Sequence, residues 1–506
     1  MSNKTAFLAF LASSALVACA PTTAITRDTT PVVAAATTSP LPAVTATSAP
    51  VVEKPVAPPE IKAEDLIELQ AVAANHFALA DKPSEIAVRV HLKAKPRVGG
   101  KRPSINLGLV VDTSGSMEGD AIEDARKASL ALLDALSEGD RLALVVFHSA
   151  TEVLVPSTVL TKETIADIRT KIAGIKASGT TDLGGGLAAG LGEVRKVFQR
   201  DGINRVVLLG DGVPNDPSML PSLAQTAAAQ QISITTLGLG LDYDETLMSQ
   251  LALNSGGKYH YLKDSSQVAK VFTDEVLRLK QVTGRATSVA IAPGPGVVVK
   301  EILGLPVQHI GNKSVVLLGD MSEGDERDVL VKLSVQGRHA GSLVELLDAE
   351  VGVDNPQKPG QRVSERAFVS LKSTADTAEI DKSRDHAVEL SVARMSVANA
   401  IVRAIALARM GDLPNGKKIL DAAEKEAKAL AKELDDKELA EKVKSIAGVR
   451  KSLASLVPPP APVATFRPVM GGGMKTADAP AAAPRPAMSA PMMKTQADAM
   501  GTIQGL

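Results

Sequence analysis

A chain of 506 residues in which 45% of side chains are hydrophobic has room for two or three domains with their own cores. Aromatic residues make up only 2%, Trp is absent and the formal net charge is −1, so neither base-stacking platforms nor the basic excess of a nucleic-acid binder is present. The one cysteine, Cys19, excludes intramolecular disulfides, and stability has to come from burial.

Residues 1–19 read as an export signal: Lys4 precedes the apolar run AFLAFLASSALVA, which suits a signal segment and is too short for a stable membrane span. Leu16-Val17-Ala18-Cys19 closes that run and resembles the bacterial lipobox. The resemblance implies cleavage before Cys19, lipidation of that residue and a membrane-anchored protein of the cell envelope. Ala20 stands where an aspartate retains lipoproteins at the inner membrane, so the same resemblance implies the outer membrane, facing the periplasm or the cell surface. The simpler alternative is a secretory signal with a chance cysteine. Residues 20–59, rich in Thr, Ala, Pro and Val, cannot pack a core and read as a disordered tether.

Residues 60–103 are expected to hold a helix and a strand. Leu66, Leu69, Val72, Ala73 and Phe77 fall on one face of a helix over 62–80, and Ile86, Val88, Val90 and Leu92 alternate as in a half-buried strand. Over 104–280 the pattern changes to apolar runs of strand length separated by helical segments, which predicts an α/β fold with a doubly wound parallel sheet. Helices are expected at 121–136, 161–175 with Thr161 as cap, 183–198, 221–231, 245–255 and 268–279, and buried strands at 107–111, 142–147, 206–209 and 233–237. Residues 281–375 read as a small antiparallel β-sandwich that the strand at 85–95 joins, making the α/β domain an insertion. Residues 376–457 read as Ala-rich helices broken at Gly411-Asp412 and near 434–435, and 458–506 as a disordered tail of Pro, Ala, Met and Gly.

Chemistry concentrates at the end of the first buried strand, LGLVVDTSGSM, in Asp112, Ser114 and Ser116. One acid and two hydroxyls at two-residue spacing are oxygen donors for a hard cation such as magnesium, manganese or calcium, rather than for zinc. Two later segments join them: Ser178-Gly179-Thr180-Thr181-Asp182 before a helix, and Asp211 between two glycines after another buried strand. The constellation Asp112, Ser114, Ser116, Thr181 and Asp211 resembles the metal-ion-dependent adhesion site of the von Willebrand factor type A (VWA) domain.

That resemblance covers 105–279 and implies a divalent ion, usually magnesium, held by these five positions at the top of the sheet, with one coordination position left for an acidic side chain of a protein partner. It implies adhesion without catalysis. Thr180 remains an alternative to Thr181, and Gly210 departs from the threonine that many members carry before the acid. Bacterial chains of similar layout are often named calcium-activated chloride channel homologues, but this sequence offers no pore-forming segment. The plain structural reading is that these hydroxyls and acids cap helices. Two functional alternatives are a metal-dependent hydrolase, with His148 as the nearby base, and an envelope scaffold with a vestigial site. The acidic stretch 320–326 reads as a solvated hairpin turn, and Gly184-Gly185-Gly186 as glycines that let a helix pack closely on the sheet.

Overall fold

The computed structural model describes residues 62, 65–97, 99, 102–210, 214–239, 244–262, 268–358, 360–456 and 488–505. The export signal, Cys19, the tether and Asp211 lie outside them. In chain order the elements are β1 (Ile67–Ala73), β2 (Phe77–Leu79), β3 (Ser84–Ala94), β4 (Ile105–Asp112), α1 (Asp120–Ala135), β5 (Arg141–Phe147), β6 (Thr151–Val159), α2 (Lys162–Ala173), α3 (Leu183–Lys196), β7 (Ile203–Gly210), α4 (Leu220–Ala229), β8 (Ser233–Leu239), α5 (Glu245–Ser255), β9 (Tyr259–Leu262) and α6 (Val268–Lys280). There follow β10 (Val282–Pro293), β11 (Val297–Ile302), β12 (Val307–Ile310), β13 (Lys313–Ser322), β14 (Glu326–Val335), β15 (Leu343–Asp354), β16 (Arg362–Thr374), α7 (Thr377–Lys382), α8 (His386–Arg409), α9 (Leu413–Glu433), α10 (Lys437–Ser452) and α11 (Ala490–Gln504).

The α/β domain is built on the sheet β6-β5-β4-β7-β8-β9, parallel except for β6. Its central strand β4 is buried at every residue, which is why its sequence is a continuous apolar run rather than an alternating one. Leu107, Leu109 and Val111 pack against α1, α2 and α6, whereas Val110 packs against α3 with α4 and α5 on the same face. The sheet is therefore doubly wound, as the alternation of elements predicts. Thr161 caps α2 by accepting the Thr164 N–H at 3.3 Å, while the Thr164 hydroxyl accepts the Thr161 N–H at 2.8 Å. Close helix-to-sheet packing explains two of the glycines of α3: a Cβ at Gly186 would lie 2.5 Å from the Phe147 ring and one at Gly190 2.3 Å from Val110.

Two further sheets, β1-β3-β14-β11 and β12-β13-β10-β15-β16-β2, enclose the sandwich core. β3 pairs along its whole length with β14, so the sandwich is assembled from strands on both sides of the α/β domain. The helix expected over 62–80 is instead the strands β1 and β2. Ile67, Leu69, Ala71 and Ala73 alternate as well as any helical set, and antiparallel pairing of β1 with β3 decides between the two periods. β6, β9, β12 and β16 are strands beyond those expected from the sequence.

The last described segment is also a correction. Residues 490–504 form α11 instead of continuing a disordered tail, and bury Met492, Met493, Gln496, Ala499, Met500 and Ile503 against α8, α10 and β9. Those residues recur at helical spacing, a signal hidden by the Pro and Ala composition around them. α8, with 24 residues, is long and apolar enough to cross a membrane by length and composition. Here its apolar residues pack among α9, α10, α11, β3 and β14.

The helical region meets the α/β domain through Arg409 at the end of α8, which donates to Asp244 at 2.7 Å and Glu245 at 2.6 Å. Burial pushes the Glu245 carboxyl up to about 7, against the opposing pull of Arg409. A raised carboxyl pKa means the native state binds the proton more tightly, so this contribution is complete below the unfolded value and is lost as pH rises through about 7. Between those limits it amounts to about 3 kcal/mol at most. Glu245→Gln, compared with wild type by urea unfolding from pH 4.5 to 8, should lack that decline; parallel pH profiles would refute the assignment.

Candidate metal centre

The direction of the sheet changes at β4, whose neighbours β5 and β7 lead away to opposite sides. Such a switch opens a crevice at the carboxyl ends of the strands. Asp112 is the last residue of β4, His148 follows β5, and Gly210 ends β7 beside it. The chain then makes a sharp bend through Thr113 and Ser114 into a short 3-10 turn at Gly115–Met117, whose Met117 anchors it in the core.

Asp112 is fully buried, and its Oδ1 accepts the Ser114 N–H at 2.8 Å. This bond curls the loop back over the strand end. The Ser114 and Ser116 hydroxyls are consequently hydrogen-bonded to each other, with their oxygens 3.0 Å apart. Adjacent ligands on an octahedral ion with metal–oxygen distances of about 2.0–2.1 Å are separated by about 2.9 Å, so the two hydroxyls already stand at the spacing of neighbouring magnesium ligands. A Cβ on Gly210 would lie 3.2 Å from Asp112 Oδ2, so a threonine at that position would press directly on the carboxylate.

The second loop is laced to the first by backbone. Gly115 N–H donates to Gly179 O at 3.0 Å and Ser178 N–H to Thr113 O at 2.7 Å. Thr113 itself is tied to β5, giving both its N–H and its hydroxyl to Phe147 O. Gly179 adopts φ +77°, and a Cβ there would lie 2.4 Å from the Ser149 hydroxyl; only glycine gives this loop its path. Thr181 is buried, and its carbonyl accepts the Asn215 N–H at 3.1 Å, drawing in the segment that follows β7. Thr180 is exposed and its hydroxyl donates to Ser149 Oγ at 3.3 Å.

Of the five sequence-derived positions, Asp112, Ser114 and Ser116 thus share one turn, and Thr181 sits in the loop hydrogen-bonded to that turn. Asp211, immediately after Gly210, lies outside the described residues. Asp182 caps α3 by accepting the Gly185 N–H at 3.0 Å, so the capping reading holds for this neighbour of the site. His148 Nδ1 accepts the Ala150 N–H at 3.3 Å, holding the ring in the β5–β6 turn. Ser149 was not singled out by the sequence, yet its hydroxyl accepts the Thr180 N–H at 3.0 Å and holds the second loop. Its position just beyond a buried strand was the available signal.

The acidic stretch 320–326 differs from the solvated turn expected. Asp325 is buried and pairs with Arg278 at 2.8 Å, Lys258 at 3.6 Å and Arg327 at 3.8 Å, while Asp320 pairs with Arg205 at 3.1 Å. These cations come from the α/β domain and from β14, so local composition gives no hint of the burial.

A family model of the von Willebrand factor type A domain matches residues 106–274. The chain is 28% identical over 314 residues to the uncharacterized protein YfbK of Escherichia coli (strain K12), covering 59% of this chain and 53% of that one. It is 29% identical over 184 residues to inter-alpha-trypsin inhibitor heavy chain H4 of Homo sapiens, covering 34% and 20% respectively. The chain therefore spans about half the length of the bacterial relative and a fifth of the human one. Among solved structures, a von Willebrand factor type A protein from Catenulispora acidiphila superposes with TM-score 0.60 at 16% identity, covering 78% of this chain and 91% of that one. The ArnB paralog VWA2 from Sulfolobus acidocaldarius does so with TM-score 0.52 at 16% identity, covering 77% and 98%. These two likenesses are of fold, and extend beyond the matched domain.

Proposed function

We propose that this chain, whose residues 106–274 match the von Willebrand factor type A domain model, captures a protein partner through a divalent cation, most naturally Mg2+, held by Asp112, Ser114, Ser116, Thr181 and Asp211. The 3.0 Å separation of the Ser114 and Ser116 hydroxyls is the observation that supports this reading most directly. The donor set is all oxygen, with neutral hydroxyls balancing few acids, which suits a hard ion and leaves it enough positive charge to attract a further carboxylate. An acidic side chain of the partner then completes the coordination. The activity is adhesion or assembly rather than turnover. In this reading Cys19 carries the lipid anchor and residues 20–59 hold the domain off the outer membrane, at the periplasmic or outer face.

The test uses full-length chain and a Ser114→Ala/Ser116→Ala variant, which removes two ligands without touching the buried carboxylate. At Mg2+ a hundredfold above its Kd, wild type should gain about 2.7 kcal/mol in unfolding free energy, a gain the variant loses. Capture from envelope extracts should disappear with chelator and with the variant alike, and Cys19→Ser should move the chain from the membrane to the soluble fraction. Equal Mg2+ responses in wild type and variant would sink the metal site. Chelator-insensitive capture would sink the ion-mediated partner.

A further inference from the structure

A cavity of about 30 Å³ lies where the α/β domain, the sandwich and α11 meet, with Arg205, Lys258, Arg327 and Gln504 among its walls. Its lining holds a surplus of N–H donors. Arg205 Nε and Gln504 Nε2 are buried and have no hydrogen-bond partner among the described residues. The orientation of the Gln504 amide is fixed, since its Oε1 accepts the Tyr259 N–H at 3.3 Å and leaves the NH2 end over. Lys258, its side chain 9% exposed, pairs with Asp325 at 3.6 Å, too far for a hydrogen bond. Burial pushes its ammonium down to about 8, with Glu275 and Asp325 pulling the other way, so it still carries its proton at neutral pH.

The acids nearby are committed elsewhere. Asp320, on the wall, accepts from Arg205 Nη2 at 3.1 Å and from the Ala286 N–H at 3.2 Å, and Asp328, also on the wall, meets His91 at 2.7 Å. Around the cavity five cations, Arg89, Arg205, Lys258, Arg278 and Arg327, share four carboxylates, Glu275, Asp320, Asp325 and Asp328. One positive charge is left over. A water molecule there accepts two hydrogen bonds but brings two donors of its own into a site already short of acceptors. An anion only accepts.

We propose that this cavity binds a monatomic monovalent anion of the chloride class, held by Lys258 Nζ, Arg205 Nε and Gln504 Nε2. The volume admits one such ion or about two waters, and three N–H donors are too few to satisfy the four acceptor oxygens of a buried sulfate or phosphate. Gln504 belongs to α11 and Arg205 to β7, so the anion links the carboxyl-terminal helix to the α/β sheet independently of the metal centre.

The full chain is melted at constant ionic strength while sodium gluconate is exchanged for sodium chloride or bromide. A saturable rise in Tm with chloride and bromide, absent with gluconate and sulfate, is expected. Gln504→Leu should raise the half-saturating chloride concentration about tenfold, and Lys258→Met should abolish the response. Identical titrations with all four salts, or an unchanged response in both variants, would overturn the site. Should Lys258→Met fail to fold, bromide-soaked crystals of wild type decide the matter: an anomalous peak between Lys258 and Gln504 supports the anion, and ordered water without one refutes it.

Discussion

Arg205→Ala is expected to lower the unfolding free energy by about 3–5 kcal/mol, the cost of leaving a buried charge without its partner. Arg205 lies on β7, 3% exposed, and donates to Glu275 at 2.8 Å, to the Thr235 hydroxyl at 3.0 Å and to Asp320 at 3.1 Å. Glu275 is 4% exposed, so water cannot take over from the guanidinium. Burial opposes its ionisation, and His260 and Arg205 outweigh that to hold the carboxyl well below the usual range. Urea unfolding of the single variant should be compared with Arg205→Met/Glu275→Leu, which removes both charges and keeps apolar volume. The double variant should recover much of the loss, because a charge pair replaced by apolar packing is often near neutral. A single variant within 1 kcal/mol of wild type would show that the pair carries little.

Gly319→Ala should cost about 3 kcal/mol or more. Gly319 has φ +73° and a Cβ there would lie 1.8 Å from the carbonyl oxygen of Gly256, at the carboxyl end of α5. The left-handed backbone contributes about 1–2 kcal/mol of that and the overlap with a rigid carbonyl about 1–3. Gly311→Ala separates the two terms. Gly311 has φ +61° with open space around it, so only the backbone term applies and its loss should stay near 1–2 kcal/mol. Equal losses at the two positions in equilibrium unfolding would mean that the contact between α5 and β13 is not what makes glycine necessary.

Both residues also touch across the boundary between the α/β domain and the sandwich, Arg205 through Asp320 and Gly319 through Gly256, and here the sequence is least informative. The α/β domain was legible because buried parallel strands write themselves as unbroken apolar runs: the cores of β4 and β7 are readable from LGLVV and VVLL alone. The loop hosting Asp112, Ser114 and Ser116 was legible for the same reason, since a run that stops in polar residues marks a strand end. Elements whose burial depends on distant partners were not. Residues 67–73 satisfy helix and strand periods equally until β3 is known to lie alongside. Asp325 looks solvated until Arg278, Lys258 and Arg327 arrive, and α11 is written in Met and Ala that only α8 and α10 turn into a core.

The division of the sandwich has a consequence for the order in which the chain assembles. His91 and Asp328, partners across β3 and β14, are 237 positions apart, and closing so long a loop in an unstructured chain is slow. A contiguous α/β domain is expected to fold first, on its own contacts. Once it has, its two ends emerge side by side, since the Thr283 hydroxyl reaches Lys95 O at 2.9 Å across 188 positions. The folded insertion then acts as a short staple that delivers the late strands to the early ones. Until β14 arrives, β1 and β3 form a ribbon with an open edge, and aggregation during synthesis should concentrate in that interval.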